Sequence, residues 1–226
     1  MAAPKITLYL DTVSPFAYIA YYVLRHDAAF RKCEVTYVPI LLGGLMKTSN
    51  NQGPLSIPNK AKWINKERQR WAAQLNVPMK QQTPPNFPAR TLSMMRALAA
   101  LRELDCGRQD RMVRALDALF HEYFAQHKPT YEPAELTRVL VGVLGSSAEA
   151  DRVIEAASSD AESGGKKALK RNTDAAFGDD AFGVPWMVCT RPDGRSESFW
   201  GVDRLEQVTA FLGLDNLGTV GWRALL

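Results

Sequence analysis

The sequence lacks neighbouring cysteines. Its three cysteines, Cys33, Cys106 and Cys189, are far apart, and none forms a Cys-x-x-Cys pair. A disulfide framework needs an even set of cysteines, whereas zinc ribbons and dithiol oxidoreductases need two cysteines at close spacing. The spacing predicts none of these classes, and we expect the three thiols to be reduced and mostly buried.

A long apolar run is also missing. A membrane-spanning helix needs about 18 or more consecutive apolar residues, and no such run occurs. The first residues, Met1 to Lys5, lead directly into a strand pattern without an apolar signal region. The end of the chain, Arg223 to Leu226, is not a peroxisomal Ser-Lys-Leu address. We expect an intracellular, soluble protein without a membrane partner, and its compartment (cytoplasmic, mitochondrial or peroxisomal) stays open.

The sequence has little excess of charge. Its 28 Lys and Arg residues and 24 Asp and Glu residues give a net charge of +4, which favours small anions but is too small for a nucleic-acid surface. The basic segment 60–70, with Trp63 and Trp71, is typical of a helix with one solvated face. His121 and His127 miss the i, i+4 spacing of a metal-binding helix. We therefore expect neither nucleic acid nor metal to bind.

The chain begins with an alternation of strand and helix patterns. Residues 5–10 alternate between apolar and polar, a helical pattern follows over 15–30, and 35–38 forms a second strand. Such a βαβ unit has a right-handed crossover and two parallel strands. The segment 46–59 is rich in Asn, Ser, Gly and Pro, and it is predicted to be a loop.

A helical region and then a hairpin follow this loop. The strand patterns at 186–190 and 197–200 flank the turn 191–195, whose Pro and Gly are typical of a hairpin. Residues 205–212 form a last amphipathic helix. The helices predicted before the hairpin are 61–75, 91–104, 112–125, 133–144, 149–157 and 165–177.

This order of elements predicts the α/β class, as a thioredoxin-like fold interrupted by an all-helical insertion. The two ends of the chain must meet to complete one sheet. We expect a discontinuous thioredoxin-like domain of residues 1–59 and 178–226, and a helical insertion domain of residues 60–177.

Ser14 stands at the start of the first helix, where a thioredoxin-type fold carries its redox cysteines. A serine followed by Pro15 is an ordinary helix start. The same helix end offers unpaired N–H groups and a positive dipole end, which stabilise an anion. A hydroxyl cannot exchange disulfides, but it can hydrogen-bond to the thiolate of an external thiol such as glutathione. The residue alone leaves both interpretations open.

Two further segments have an ordinary and a functional interpretation. Pro185 can simply start a strand, or, if the Val184–Pro185 bond is cis, it can present the Val184 backbone to a bound peptide. Asp203 can cap the last helix, or it can fix the γ-glutamyl group of glutathione together with Arg204.

Three motifs follow one another at set separations in the chain. They are Asp11-Thr12-Val13-Ser14-Pro15-Phe16, Ala181-Phe182-Gly183-Val184-Pro185 and Phe199-Trp200-Gly201-Val202-Asp203-Arg204. Together they resemble the kappa-class glutathione transferases and their bacterial relatives, the 2-hydroxychromene-2-carboxylate isomerases, within the DsbA-like thioredoxin superfamily. The loop residues Gly44-Leu45-Met46-Lys47, Asn51 and Pro58-Asn59-Lys60 also resemble this family, and the likeness covers nearly the whole chain.

The resemblance implies a homodimer with a glutathione site, in which glutathione is cosubstrate or cofactor. Ser14 would activate the sulfur, Val184 would pair with the cysteine backbone, and Asp203 and Arg204 would contact the γ-glutamyl group. The family usually has Ser where Val202 stands, so a hydroxyl contact is lost while a backbone N–H contact can remain. The implied glutathione-binding residues are Ser14, Pro15, Phe16, Asn51, Lys60, Val184, Pro185, Val202, Asp203 and Arg204.

Three hypotheses for function follow. The first is a kappa-type glutathione transferase, in which the thiolate held by Ser14 attacks a hydrophobic electrophile in an apolar cleft. The second is a glutathione-dependent isomerase of the 2-hydroxychromene-2-carboxylate type, and the third is a non-catalytic protein that binds glutathione or a hydrophobic ligand. A disulfide oxidoreductase is disfavoured because Ser14 and Ala17 leave no vicinal dithiol.

Overall fold

A four-stranded mixed sheet organises the molecule. The computed structural model describes residues 2–215 and 217. The sheet order is β2-β1-β3-β4, in which β1 pairs in parallel with β2 and antiparallel with β3, and β3 and β4 are antiparallel. The strands are β1 (Lys5–Leu10), β2 (Glu34–Pro39), β3 (Trp186–Thr190) and β4 (Ser196–Trp200).

Helices connect and cover this sheet. Seven of them, α2 to α8, lie between β2 and β3 along the chain, and the last six form the helical insertion, so the α/β arrangement with a helical insertion is as predicted. The domain boundaries at 59/60 and 177/178 stay a prediction. The helices of the described residues are α1 (Pro15–His26), α2 (Leu42–Thr48), α3 (Lys60–Gln74), α4 (Leu92–Leu104), α5 (Asp110–Phe120), α6 (Pro133–Leu144), α7 (Ser147–Ser158), α8 (Gly165–Gly178) and α9 (Leu205–Leu212).

One hydrophobic core joins the sheet to the insertion. Ile6, Leu8 and Leu10 are buried on β1, as their alternation predicts. Helices α4 and α8 both pack on β2. The side-chain amide of Asn172, in α8, donates a hydrogen bond to the Pro39 carbonyl at 3.0 Å. The helices of the insertion therefore contact the sheet directly.

Gln109, just before α5, covers part of the free edge of β2. Its Oε1 accepts the Tyr37 N–H at 2.7 Å, and its Nε2 donates to the Val35 carbonyl at 3.0 Å. Unpaired groups on an edge strand form a template for pairing with another chain. The insertion thus satisfies backbone groups that the sheet leaves open.

The predicted loop 46–59 is wrong at its start. Helix α2 runs through Thr48, and a short 3-10 helix forms over Pro54–Ser56. Two glycines disfavour this helix, but Leu45 is fully buried and α2 packs against α8. Tertiary packing therefore overrides the local composition, which is the signal on which the sequence prediction was based.

Two predicted helix ends also differ from the structure. The first helix stops at His26 rather than at residue 30, because the Asp27 side chain accepts the Ala29 N–H at 2.9 Å and begins a 3-10 helix. The helix predicted over 112–125 is α5 followed by a π-helical turn over His121–Ala125. Both differences arise where one helix type gives way to another.

No helix of residues 2–215 is long and apolar enough to cross a membrane. The predicted intracellular location stays a prediction. The C-terminal residues Arg223 to Leu226, considered above as a targeting address, lie outside the described residues.

Candidate active site

Ser14 caps α1 at the end of a tight turn that follows β1. Its N–H donates to the Asp11 carbonyl at 3.1 Å, and its Oγ accepts the Ala17 N–H at 3.1 Å. The residue is 7% exposed. Among the described residues, the hydroxyl group has no acceptor for its own proton. Ser14 therefore holds its oxygen in place through the helix and keeps one hydrogen bond to donate.

The N-terminus of α1 adds a positive environment at the same point. Pro15, the first helical residue, has no N–H, and the N–H of Phe16 meets no acceptor in the described part of the chain. The first turn contains no acidic residue, whereas the last turn contains Arg25 and His26. An unneutralised helix N-terminus favours an anion by about 0.3–1 kcal/mol.

Val184 and Pro185 lie beside this turn. In the pairing of β1 with β3, Tyr9 stands opposite Trp186, so the next step of the register places Pro185 alongside Leu10. The Val184–Pro185 bond is cis. Within residues 2–215, the backbone N–H and carbonyl of Val184 have no hydrogen-bond partner. Both groups are available to the backbone of a bound peptide.

The segment after β4 lies at the same place in the molecule. We call the Ser14 turn, the Val184–Pro185 segment and this segment together the Ser14 corner. The Gly201 N–H donates to the Pro185 carbonyl at 3.1 Å, and the 3-10 helix Val202–Arg204 packs on α1. The Asp203 carboxylate and the Arg204 guanidinium are half exposed and 3.6 Å apart. Asp203 and Arg204 thus place one charge of each sign at the surface.

Val202 contributes backbone rather than side chain. Its side chain is 3% exposed and belongs to the core. Its N–H and that of Asp203 find no acceptor among the described residues. The loss of a hydroxyl contact and the backbone contact to glutathione both stay predictions.

Asn51 and Lys60 differ in how they relate to this corner. The Asn51 side-chain amide donates to the Phe182 carbonyl at 2.8 Å, which fastens the loop after α2 to the segment before Pro185. Lys60 is the exposed first residue of α3. No hydrogen bond or ion pair of its side chain joins it to the other predicted residues in the part of the chain described.

Asp11, the first residue of the motif that contains Ser14, is a buried carboxyl group for which no role was predicted. It is 1% exposed, and its oxygens accept the Val13 N–H at 3.1 Å and the Leu42 N–H at 2.8 Å. Burial raises the pKa of Asp11, and Thr91 lies beside its carboxyl group. The signal in the sequence was an acidic residue directly after a buried strand, three positions before Ser14.

An aromatic patch of Phe182, Trp186 and Trp200 lies next to these segments. The ring centroids of Phe182 and Trp200 are 4.7 Å apart, and both side chains are exposed. The Trp200 ring covers Gly183, where a Cβ would lie 2.9 Å from the indole nitrogen. No function was predicted for these rings from the sequence.

The titratable clusters elsewhere give no metal set. Among residues 2–215 and 217, no three His, Cys, Asp or Glu side chains are grouped to hold an ion. Cys189 is buried and Cys33 is partly buried, whereas Cys106, just after α4, is exposed. The expectation that the thiols are mostly buried is therefore wrong for Cys106. The prediction that no metal is used stays a prediction.

The fold and the Ser14 corner define the class of protein. The DSBA-like thioredoxin domain family matches residues 5–213, and the chain belongs to this family. Glutathione S-transferase kappa 1 of Caenorhabditis elegans is 27% identical over 216 residues, which cover 92% of this chain and 91% of the relative. The 2-hydroxychromene-2-carboxylate isomerase of Sphingobium xenophagum is 27% identical over 209 residues, which cover 92% of this chain and 97% of the relative.

A solved structure of a 2-hydroxychromene-2-carboxylate isomerase shows the same fold. Its TM-score is 0.74 at 22% identity, and the match covers 92% of this chain and 94% of that chain. The predicted family resemblance and fold class are therefore confirmed. Because the relatives are named as enzymes, the chain is an enzyme of this family. The roles of individual site residues stay predictions.

Proposed function

We propose that the protein is a glutathione transferase of the kappa type. Ser14 stabilises the thiolate of bound glutathione, which attacks a hydrophobic electrophile. The observation that carries this proposal is the Ser14 hydroxyl, whose proton has no acceptor among the described residues, at the N-terminus of α1. The kappa relatives, at 24–28% identity over most of the chain, support glutathione as the cosubstrate.

Glutathione is held by backbone groups at its centre and by charged groups at its ends. The cysteinyl backbone pairs with the N–H and carbonyl of Val184, beside the cis bond to Pro185. The γ-glutamyl carboxylate accepts the N–H groups of Val202 and Asp203. The Asp203 carboxylate binds the γ-glutamyl ammonium group, and Arg204 supplies a cation beside it.

The glycyl end of the peptide lies toward Asn51 and Lys60. The Asn51 Nδ2 donates to the Phe182 carbonyl, so the Asn51 Oδ1 is left to accept a hydrogen bond from the ligand. Lys60 supplies an exposed ammonium group for the glycyl carboxylate.

Ser14 and Phe16 act on the sulfur. The Ser14 hydroxyl donates to the sulfur, and the Phe16 N–H with the helix dipole adds positive potential. Together they lower the pKa of the thiol, and each unit corresponds to about 1.4 kcal/mol. The thiolate then forms a carbon–sulfur bond to the electrophile as the leaving group departs with its electron pair.

Replacing Ser14 by Ala tests this role. We expect S14A to raise the pKa of bound glutathione by about 1–2 units and to lower the transfer rate by about 10- to 100-fold, because a hydrogen bond to a charged group is worth about 1.5–3 kcal/mol. The thiolate absorbance of the complex, titrated in the ultraviolet, measures the pKa. A chloronitrobenzene substrate measures the rate.

Ser146 provides the matched control, because it caps α7 by accepting the Glu149 N–H at 3.3 Å. S146A removes the same kind of helix cap, worth about 1 kcal/mol, away from the site. It is expected to retain the wild-type thiol pKa and rate. If S14A also retains both, Ser14 is only a helix cap, and a non-catalytic binder of glutathione or of a hydrophobic ligand becomes the better account.

A glutathione-dependent isomerase is the second candidate, favoured by the isomerase relative that matches 92% of the chain. Here the thiolate held by Ser14 adds to a conjugated alkene, the new single bond rotates, and elimination returns the thiolate with the isomerised alkene. A chromene carboxylate assayed beside the chloronitrobenzene substrate separates the two reactions. Reduction of insulin by the purified protein would instead indicate a disulfide oxidoreductase.

A homodimer is part of the same proposal. The aromatic patch leaves Phe182 and Trp200 exposed, and large exposed apolar surfaces mark interaction sites. Light scattering across a range of protein concentrations measures the mass. A mass that remains that of one chain at every concentration contradicts the dimer without affecting the role of Ser14.

A further inference from the structure

Asp11 connects the turn that carries Ser14 to two other elements. One carboxylate oxygen accepts the N–H of Val13, within the turn, and the other accepts the N–H of Leu42, the first residue of α2. Thr91, at the N-cap of α4 in the helical insertion, lies beside the same carboxyl group. The Asp11 carbonyl also accepts the Ser14 N–H.

These contacts hold the turn because the carboxyl group is buried. Asp11 is 1% exposed and Thr91 is 5% exposed, so water does not replace a lost partner easily. Leaving a buried donor or acceptor unpaired costs about 1–3 kcal/mol, and more for a charged group. Any displacement of the turn relative to α2 therefore breaks a hydrogen bond that nothing else satisfies.

We propose that Asp11 is the positioning residue of the Ser14 site. Its carboxyl group fixes the turn 11–14 so that the Ser14 hydroxyl points at the glutathione sulfur, and Thr91 ties this turn to the helical insertion. The proposal rests on the proposed function of Ser14. Its physical basis is that a misplacement of about 1 Å in a reacting group can cost about 100-fold in rate.

Three isosteric or conservative variants test the Thr91 contact. T91V removes the hydroxyl group beside the Asp11 carboxyl group, whereas T91S retains it. T12V removes a different buried hydroxyl group from the same turn, one that donates to the Met95 sulfur at 3.5 Å. All three variants keep the shape of the site nearly unchanged. A difference between them therefore reports the loss of the Thr91 hydroxyl group and not a change in packing.

We expect only T91V to impair catalysis. Its kcat should fall about 10-fold, and the pKa of bound glutathione should rise, because the Ser14 hydroxyl is no longer held in place. Its KM for glutathione should change less than about 2-fold, since Val184 and Asp203 still bind the peptide. T91S and T12V should remain near wild type. Equal effects of T91V and T12V would overturn the proposal.

Hydrogen exchange in the unliganded protein gives a readout that does not depend on glutathione. We expect the amides of Val13 and Leu42 to exchange about 10-fold faster in T91V than in T12V, and faster still in D11N, whose amide group accepts through a single oxygen. If the wild-type protein binds no thiolate, the function proposed for Ser14 fails, and this exchange still decides whether Asp11 holds the turn. Unchanged exchange in both T91V and D11N contradicts the positioning role.

Discussion

Gly201 lies between β4 and the Asp203–Arg204 pair, and its backbone requires glycine. Its φ is +99°, and a Cβ at this position would collide with the Asp203 carboxylate. We expect Gly201→Ala to lower the free energy of unfolding by about 2–3 kcal/mol, because the conformation is strained for an L-residue and the carboxylate must move. Glutathione should bind about 10-fold more weakly, as measured by calorimetry.

Gly213 is the control for this substitution. Its φ is +68°, and a Cβ there would meet nothing within 4 Å. Gly213→Ala should cost about 1 kcal/mol through the backbone alone and should leave glutathione affinity unchanged. Equal affinities of the G201A and G213A variants would show that Asp203 does not contact the ligand.

Single residues show which contacts a sequence can predict. The Ser14-Pro15 pair predicts a cap and a helix start, because both are local backbone effects. In the segment Ser146-x-x-Glu149, the Ser146 oxygen accepts the Glu149 N–H as the local pattern predicts, but the Glu149 carboxylate pairs with Arg111 at 2.8 Å. Asp11 depends on Leu42 and Thr91, which are distant along the chain, and no local signal predicts such partners.

At the scale of elements, Arg68 fastens the segment after α3. The guanidinium is 3% exposed and donates to the Asn65 side chain at 2.9 Å and to the carbonyls of Lys80 and Gln81. Burial without an acidic partner among these contacts lowers its pKa. Arg68→Met should reduce the free energy of unfolding by about 3 kcal/mol, measured in urea, because several charge-assisted hydrogen bonds are lost.

Arg70, two residues later on α3, is the matched control. It is exposed, pairs with Glu67 at 2.6 Å and lies over the Trp63 ring at 5.9 Å. Arg70→Met should cost less than about 1 kcal/mol. Trypsin should cut after Lys80 faster in the R68M variant than in R70M, and equal cutting would mean that Arg68 does not hold this segment.

Helix α2 shows why element boundaries are the harder part of a sequence prediction. Its residues include two adjacent glycines and precede a segment rich in Asn and Pro, so local propensity favours a loop. The helix is stabilised by the burial of Leu45, by α8 and by the Asp11 carboxylate at Leu42 N–H. These partners lie elsewhere in the sequence, and a local window does not contain them.

The molecule as a whole should unfold as one unit. One hydrophobic core includes residues of the sheet and of the helical insertion, and α4 and α8 pack directly on β2. Gln109 and Asn172 add hydrogen bonds between the insertion and β2. Calorimetry should therefore show a single cooperative transition, with equal calorimetric and van't Hoff enthalpies. Two separate transitions would contradict this shared core.

The overall fold is more predictable from the sequence than the site. Alternation in β1, the hairpin turn at 191–195 and the helical periodicity between them predict the order of elements, and the right-handed crossover rule predicts that β1 and β2 are parallel. The placement of β3 next to β1 brings Pro185 alongside Leu10, at the start of the turn that carries Ser14. Only the family resemblance predicts this proximity, because periodicity does not determine which strands become neighbours.

The central position of β1 has a consequence for synthesis on the ribosome. Both of its neighbours are needed to satisfy its backbone, and β3 begins at Trp186, after all six helices of the insertion have been translated. Until then the nascent β1–α1–β2 unit has an open edge on a buried strand, a state prone to wrong pairing. Translation of the hairpin therefore closes the sheet and, in the same event, assembles the corner that contains Ser14.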